Sequence, residues 1–91
     1  MILQKYTRLI QDFLDERISV EEFEKIYLSE FKAEKIMIES SLFRILDRLF
    51  ASVDCYWSGC AEGQESAFEI SEVQLRKDAM NALKALADLG L

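Results

Sequence analysis

Four stretches of this chain repeat apolar side chains every three or four residues, and no proline interrupts any of them. That spacing matches one face of an α-helix; a strand would need strict alternation, which no stretch shows. Tyr6, Leu9, Ile10, Phe13 and Leu14 predict a first helix over residues 2–16, closing at the charged Asp15-Glu16-Arg17. The second opens with two entry signals. Ser19 and Glu22 form a capping box, and Ile18 and Phe23 sit at the flanking positions of a hydrophobic staple. Phe23, Ile26, Tyr27 and Phe31 then carry the stripe from residue 20 to the mid-thirties. Ser40 or Ser41 can cap a third helix, whose stripe is Leu42, Phe43, Leu46, Leu49, Phe50 and Val53, then Tyr56 or Trp57. This is the most apolar stretch and is expected at the centre of the core. After a loop over 58–70 that holds two of the three glycines, Ser71 and Gln74 repeat the box and Ile70 and Leu75 the staple. Leu75, Ala79, Ala82, Leu83 and Leu86 form the last buried face, with Gly90 where a C′ glycine belongs.

Four amphipathic helices with short connections imply an all-α, antiparallel four-helix bundle forming a single domain over residues 1–91. Their order in space stays open. A chain of this size buries only about 60–65% of its unfolded surface, which leaves little room for both a core and a catalytic cavity. There is no histidine, so Ser-His, Cys-His and His-ligated metal mechanisms fall away. The longest run without a charged side chain is seven residues, Cys55 to Ala61, against the roughly twenty a membrane span needs. The first seventeen residues have no uninterrupted apolar stretch of a signal peptide, and a cytoplasmic protein is expected. Cys55 and Cys60, without other ligands, read as thiols rather than as a zinc site or a disulfide scaffold.

Charge narrows the partner. Seventeen acids against eleven bases give −6, the wrong sign for direct binding to nucleic acid or to an anionic membrane. No Lys or Arg occurs between Arg48 and Arg76, whereas Asp54, Glu62, Glu65, Glu69 and Glu72 all lie in that gap, beside Tyr56, Trp57 and Phe68. Asp47, two turns before Asp54, points to nearly the same side of the third helix. Taken singly, these residues have plain explanations. Acids suit a helix start, charged loops are solvated, and aromatics close cores. Together they have the composition of an interface for a basic partner: aromatics as anchors, acids for steering and discrimination. Asp54 and Trp57 are expected to contribute more than Glu62. Trp57 and Phe68 could alternatively seat a homodimer, although a free monomer is expected.

Leu9–Lys35, with its I-S-x-x-E-F-E piece, resembles the first helical hairpin of the bacterial self-protective colicin-like immunity family, which includes the colicin D immunity protein. Leu42–Trp57 is similar to its second block, where a D-x-L-F-x-x-V-D-x-Y pattern closes the third helix, and Ser71–Leu86 shares a Leu-Arg pair. The resemblance implies a four-helix inhibitor, without cofactor or metal, that protects its producer by binding the C-terminal domain of a bacteriocin or contact-dependent inhibition toxin. In the colicin D relative that domain cleaves tRNA, and acids of the inhibitor fill its basic substrate site. Asp47, Asp54 and Tyr56 would belong to the shared block; Trp57, Glu62, Glu65, Phe68, Glu69 and Glu72 would complete the toxin-binding surface. Two departures stand out. The family often has glycine in the first inter-helix turn, where this chain has Glu16, and its loop after the V-D-x-Y block is more densely acidic.

Two other classes compete. A small acidic adaptor or antitoxin-like regulator of some other basic protein would have the same residues. An enzyme would have to rest on Asp47 with Asp54 as a carboxylate pair, because nothing else in the chain offers chemistry.

Overall fold

The computed structural model describes residues 2–34, 38–61, 63–64 and 69–89. Four helices carry the chain: α1 (Ile2–Leu14), α2 (Val20–Glu34), α3 (Ser40–Cys55) and α4 (Glu72–Asp88). Each packs on its neighbour in sequence, and α4 closes back onto α1, so order around the bundle is chain order. The stripes meet inside. Tyr6, Ile10, Phe13, Phe23, Tyr27, Phe31, Leu46, Leu49, Val53, Leu75, Ala79 and Leu86 are all buried in one cluster. A chain of rings runs through it, with Phe13 stacked on Phe23 at 4.2 Å and Tyr6 edge-on to Tyr27 at 5.6 Å. Ile26, expected on the buried stripe, is instead 39% exposed. The α2 face is narrow, and Phe23, Tyr27 and Phe31 at i, i+4, i+8 already fill it.

Among the described residues, polar ties cross all four seams. Between α1 and α2, Lys5 Nζ bonds Glu30 at 3.0 Å and also Glu34, while Tyr6 Oη donates to Glu34 at 3.0 Å. The buried Tyr27 hydroxyl donates to the Leu46 carbonyl of α3 at 2.6 Å. Ser52 Oγ donates to Asp78 of α4 at 2.7 Å. Arg76 of α4 donates to the Phe13 carbonyl at 2.9 Å with its guanidinium 4.4 Å over the Phe13 ring. The Leu-Arg pair at 75–76 thus divides its work: Leu75 fills the core, and Arg76 satisfies a carbonyl at the negative end of α1.

Helix ends follow the sequence in places and depart from it in others. The Ser19–Glu22 box forms in both directions, each backbone N–H meeting the other's side chain at 3.1 Å. Ser71 accepts the Gln74 amide at 3.2 Å, but the Gln74 side chain donates to Asp78 rather than reaching back. Neither Ser40 nor Ser41 caps α3. Glu39 does, accepting the Leu42 amide at 3.2 Å, because an ionised carboxylate at a helix start gains from the amide bonds and the macrodipole together. The amides of Ser41 and Leu42 hold the Glu39 carboxyl below its ordinary pKa. The Gly90 cap position lies outside the described residues; α4 ends with Leu89 in helical conformation, its N–H on Leu86.

α1 stops at Leu14, two residues before the expected end, in a Schellman motif. Arg17 N–H reaches the Asp12 carbonyl at 2.8 Å and Glu16 N–H the Phe13 carbonyl at 3.1 Å. Glu16 therefore sits at φ 61°, in the left-handed region that glycine occupies without strain. Glu16→Gly should stabilise the bundle by about 0.5–1 kcal/mol, the lost Cβ strain outweighing the added chain entropy. A higher urea midpoint with an unchanged slope would show it.

The Glu34 tie gives acid sensitivity of a definite sign. The Lys5 hydrogen bond, opposed by burial and helped by Tyr6, holds Glu34 below its ordinary pKa of 4.5. Its stabilisation is therefore complete above that value and fades as pH falls through the lower folded-state pKa. Both side chains are partly exposed, so Glu34→Gln should lose only about 1 kcal/mol at neutral pH. The gap between wild type and variant, read from urea melts, should narrow as the pH drops below about 4.5.

Candidate functional site

α3 ends at Cys55, and Tyr56 turns the chain out in an extended conformation. Expected at the end of the α3 stripe, Tyr56 instead pairs with Ile70 in an isolated parallel bridge. Ile70 N–H meets the Cys55 carbonyl at 3.0 Å, and Trp57 N–H meets the Ile70 carbonyl at 3.2 Å. These two bonds pinch the loop at its base. They bring the end of α3 against the start of α4, and Ser71 caps α4 one residue later. Antiparallel packing adds the start of α2 to the same end of the bundle.

This geometry gathers carboxylates that the sequence keeps apart. Burial first, then the charges of Glu21 and Asp54, raise the pKa of the half-buried Glu24. Burial likewise raises Tyr56, followed by Glu21, Glu72 and Glu24. Glu21 and Glu24 of α2 and Glu72 of α4 thus act on Tyr56, and Asp54 of α3 acts on Glu24 beside it. Only Glu72 has a cation beside it, Arg76 Nε at 2.9 Å; among the described residues the other three have no ion-pair partner. A raised carboxyl pKa means that like charge and burial disfavour the ionised form. A Lys or Arg from outside would relieve that repulsion.

The aromatics separate in role. Tyr56 packs its ring on the core and shows solvent an edge, whereas Trp57 is 54% exposed. The Trp57 ring lies against Gly59, where an added Cβ would sit only 2.6 Å from it, so glycine permits the close approach. Cys60 is buried in the loop, with its thiol 3.8 Å from the Ala61 carbonyl, and neither it nor Cys55 is in a disulfide.

Of the residues singled out in the sequence, Asp54, Tyr56, Trp57, Glu69 and Glu72 cluster at this end. Asp54, Glu69 and Glu72 are exposed, and Glu69 directly precedes the bridge. Asp47 is exposed two turns up α3, about 10 Å along the axis from Asp54. There its charge acts on Tyr27. That separation suits a long acidic face rather than a dyad sharing a proton or a metal. Glu62, Glu65 and Phe68 lie outside the described residues. Glu21 and Glu24 were missed, although a short α2–α3 connection puts the start of α2 beside the end of α3. Among the described residues no helix is long and apolar enough to cross a membrane.

The family model for bacterial self-protective colicin-like immunity matches residues 1–86. The chain belongs to that family. No curated protein and no solved structure matches it. Membership makes the chain an immunity protein, whose work is to bind and neutralise a cognate bacteriocin toxin, and it favours that role over a general adaptor. In this colicin-like immunity protein the V-D-x-Y block has a structural reading: Val53 is core, Asp54 and Tyr56 form the acidic aromatic corner, and the bridge at Tyr56 anchors the loop.

Proposed function

We propose that this immunity protein captures the nuclease domain of its toxin, a tRNA-cleaving ribonuclease, by setting the Tyr56 corner into the basic substrate site. Glu21, Glu24, Asp54 and Glu72 take the place of substrate phosphates, with Glu69 and Asp47 extending the acidic face on either side and Trp57 providing the exposed aromatic anchor. Glu62, Glu65 and Phe68, by their place in the loop, complete the surface. The protein does no chemistry, needs no cofactor or metal, and meets the toxin domain as a monomer in the cytoplasm of the producing cell.

The observation that carries the proposal is the placement of the carboxylates: Glu21 and Glu24 of α2 and Asp54 of α3 meet across one seam with no ion-pair partner for any of the three among the described residues. A fold gains nothing from such an arrangement, whereas a basic partner would gain affinity from it and steered association as well. Association with the purified C-terminal domain of the adjacently encoded toxin tests it. The on-rate should fall steeply with added salt; a salt-independent on-rate would remove the electrostatic basis of the proposal.

A further inference from the structure

α3 carries its charges in two separate rows. Asp47 and Asp54 lie towards α2, whereas Arg44 and Arg48, one turn apart, lie towards α4, with the exposed Ala51 between the rows. The arginines overhang a groove of about 620 Å³ between α3 and α4, whose apolar wall includes Ile45 and Leu49. Ala82 and Ala85 leave it open on the α4 side. Among the described residues the carboxylate lining it is Asp78, and both of its oxygens are engaged, one by Ser52 at 2.7 Å and the other by Gln74 at 2.9 Å. Among the described residues neither Arg44 nor Arg48 has an ion-pair partner. Like charges at i, i+4 disfavour a helix slightly, so the fold itself does not call for this pair.

We infer that this groove is a second docking surface for the toxin domain, taking a segment in which an acidic side chain stands next to an apolar one. The inference rests on the proposed function and deepens it. The acid meets the two guanidiniums, which suit a carboxylate's two oxygens, and the apolar neighbour enters against Ile45 and Leu49. A partner lying across α3 meets both rows at once, since the helix is only about 10 Å wide. The toxin must then present a basic centre with an acidic shoulder, and a toxin with a uniformly basic surface is repelled by the arginines. Opposite charges on the two edges of one helix thus set both orientation and partner choice.

The sign of the effect in the toxin complex separates this inference from simple steering. Arg44→Glu with Arg48→Glu makes the chain four charges more negative. If the arginines are only bystanders, a basic toxin should associate faster and dissociate no faster. If the groove docks an acidic shoulder, dissociation should accelerate at least tenfold despite the extra negative charge. Arg44→Gln with Arg48→Gln, milder at two exposed helix positions, should accelerate it about threefold, and urea melts of both pairs verify the fold. Unchanged or slower dissociation in both pairs overturns the groove while leaving the Tyr56 corner standing. Failure of the wild-type chain to bind the toxin domain at all overturns both.

Discussion

Reversing Glu24 and Asp54 together to lysine should weaken capture of the toxin domain by roughly a thousandfold or more. Removing one centrally placed charge partner typically costs about 2–5 kcal/mol, and reversal adds repulsion to the loss. Glu24 acts on Tyr56 and Asp54 acts on Glu24 from the next helix, and among the described residues neither makes a tie that holds the bundle together. Fold stability should therefore change little, because the two lysines repel each other as the two acids did while Glu21 gains an opposite charge beside it. A surface-binding titration alongside a urea melt reads both quantities. Asp54→Ala and Trp57→Ala should each cost more affinity than Glu62→Ala, since the first two flank Tyr56 in sequence and the third follows six residues later. The pH dependence has a definite direction too. Glu24 has a raised pKa when free, and a toxin cation would lower it, so binding releases a proton. Affinity should decline on mild acidification, in the range where Glu24 begins to protonate. The Glu34 tie, shifted the other way, loses its stabilisation only below 4.5.

The second large effect lies in the core. Tyr27 is fully buried, touches the Tyr6, Phe23 and Phe31 rings, and makes a polar tie between α2 and α3. Tyr27→Ala should lose about 3–5 kcal/mol through the cavity alone. A domain of this length is stable by only about 5–10 kcal/mol, so the variant should be largely or wholly unfolded at 37 °C. Tyr27→Phe keeps the ring and should lose only about 1 kcal/mol, because the Leu46 carbonyl still lies within its own helix. Circular dichroism in urea separates the two. A Tyr27→Ala midpoint close to that of Tyr27→Phe would mean that the ring cluster contributes far less than its burial suggests.

Legibility differed between the fold and the site for a physical reason. Stripes and caps are local, and Tyr6-Ile10-Phe13 or the Ser19–Glu22 box can be read within a few residues of sequence. The errors came where a neighbouring group outcompeted the local rule. Glu39 displaced the serines as a cap through its charge, Glu16 accepted a left-handed turn that glycine would fill better, and Ile26 lost its place to three larger rings. The site is not local at all. Asp54 and Glu72 could be found as acids in a stretch without bases, but Glu21 and Glu24 join them only through helix pairing and the Tyr56–Ile70 bridge. A pattern of charge along the chain shows where acids are dense. It cannot show which of them lack a cation; among the described residues Arg76 takes Glu72 and no ion pair forms at the other three.

The proposed function makes the toxin's substrate and this protein competitors for one basic surface. The most direct test is to titrate the toxin domain with the immunity protein at several fixed concentrations of tRNA. With a shared surface, the apparent dissociation constant should rise in proportion to tRNA concentration, and no species containing all three components should form. A dissociation constant unmoved by saturating tRNA, with tRNA still bound to the complex, would place inhibition at a distance from the substrate site and contradict the role given to the Tyr56 corner.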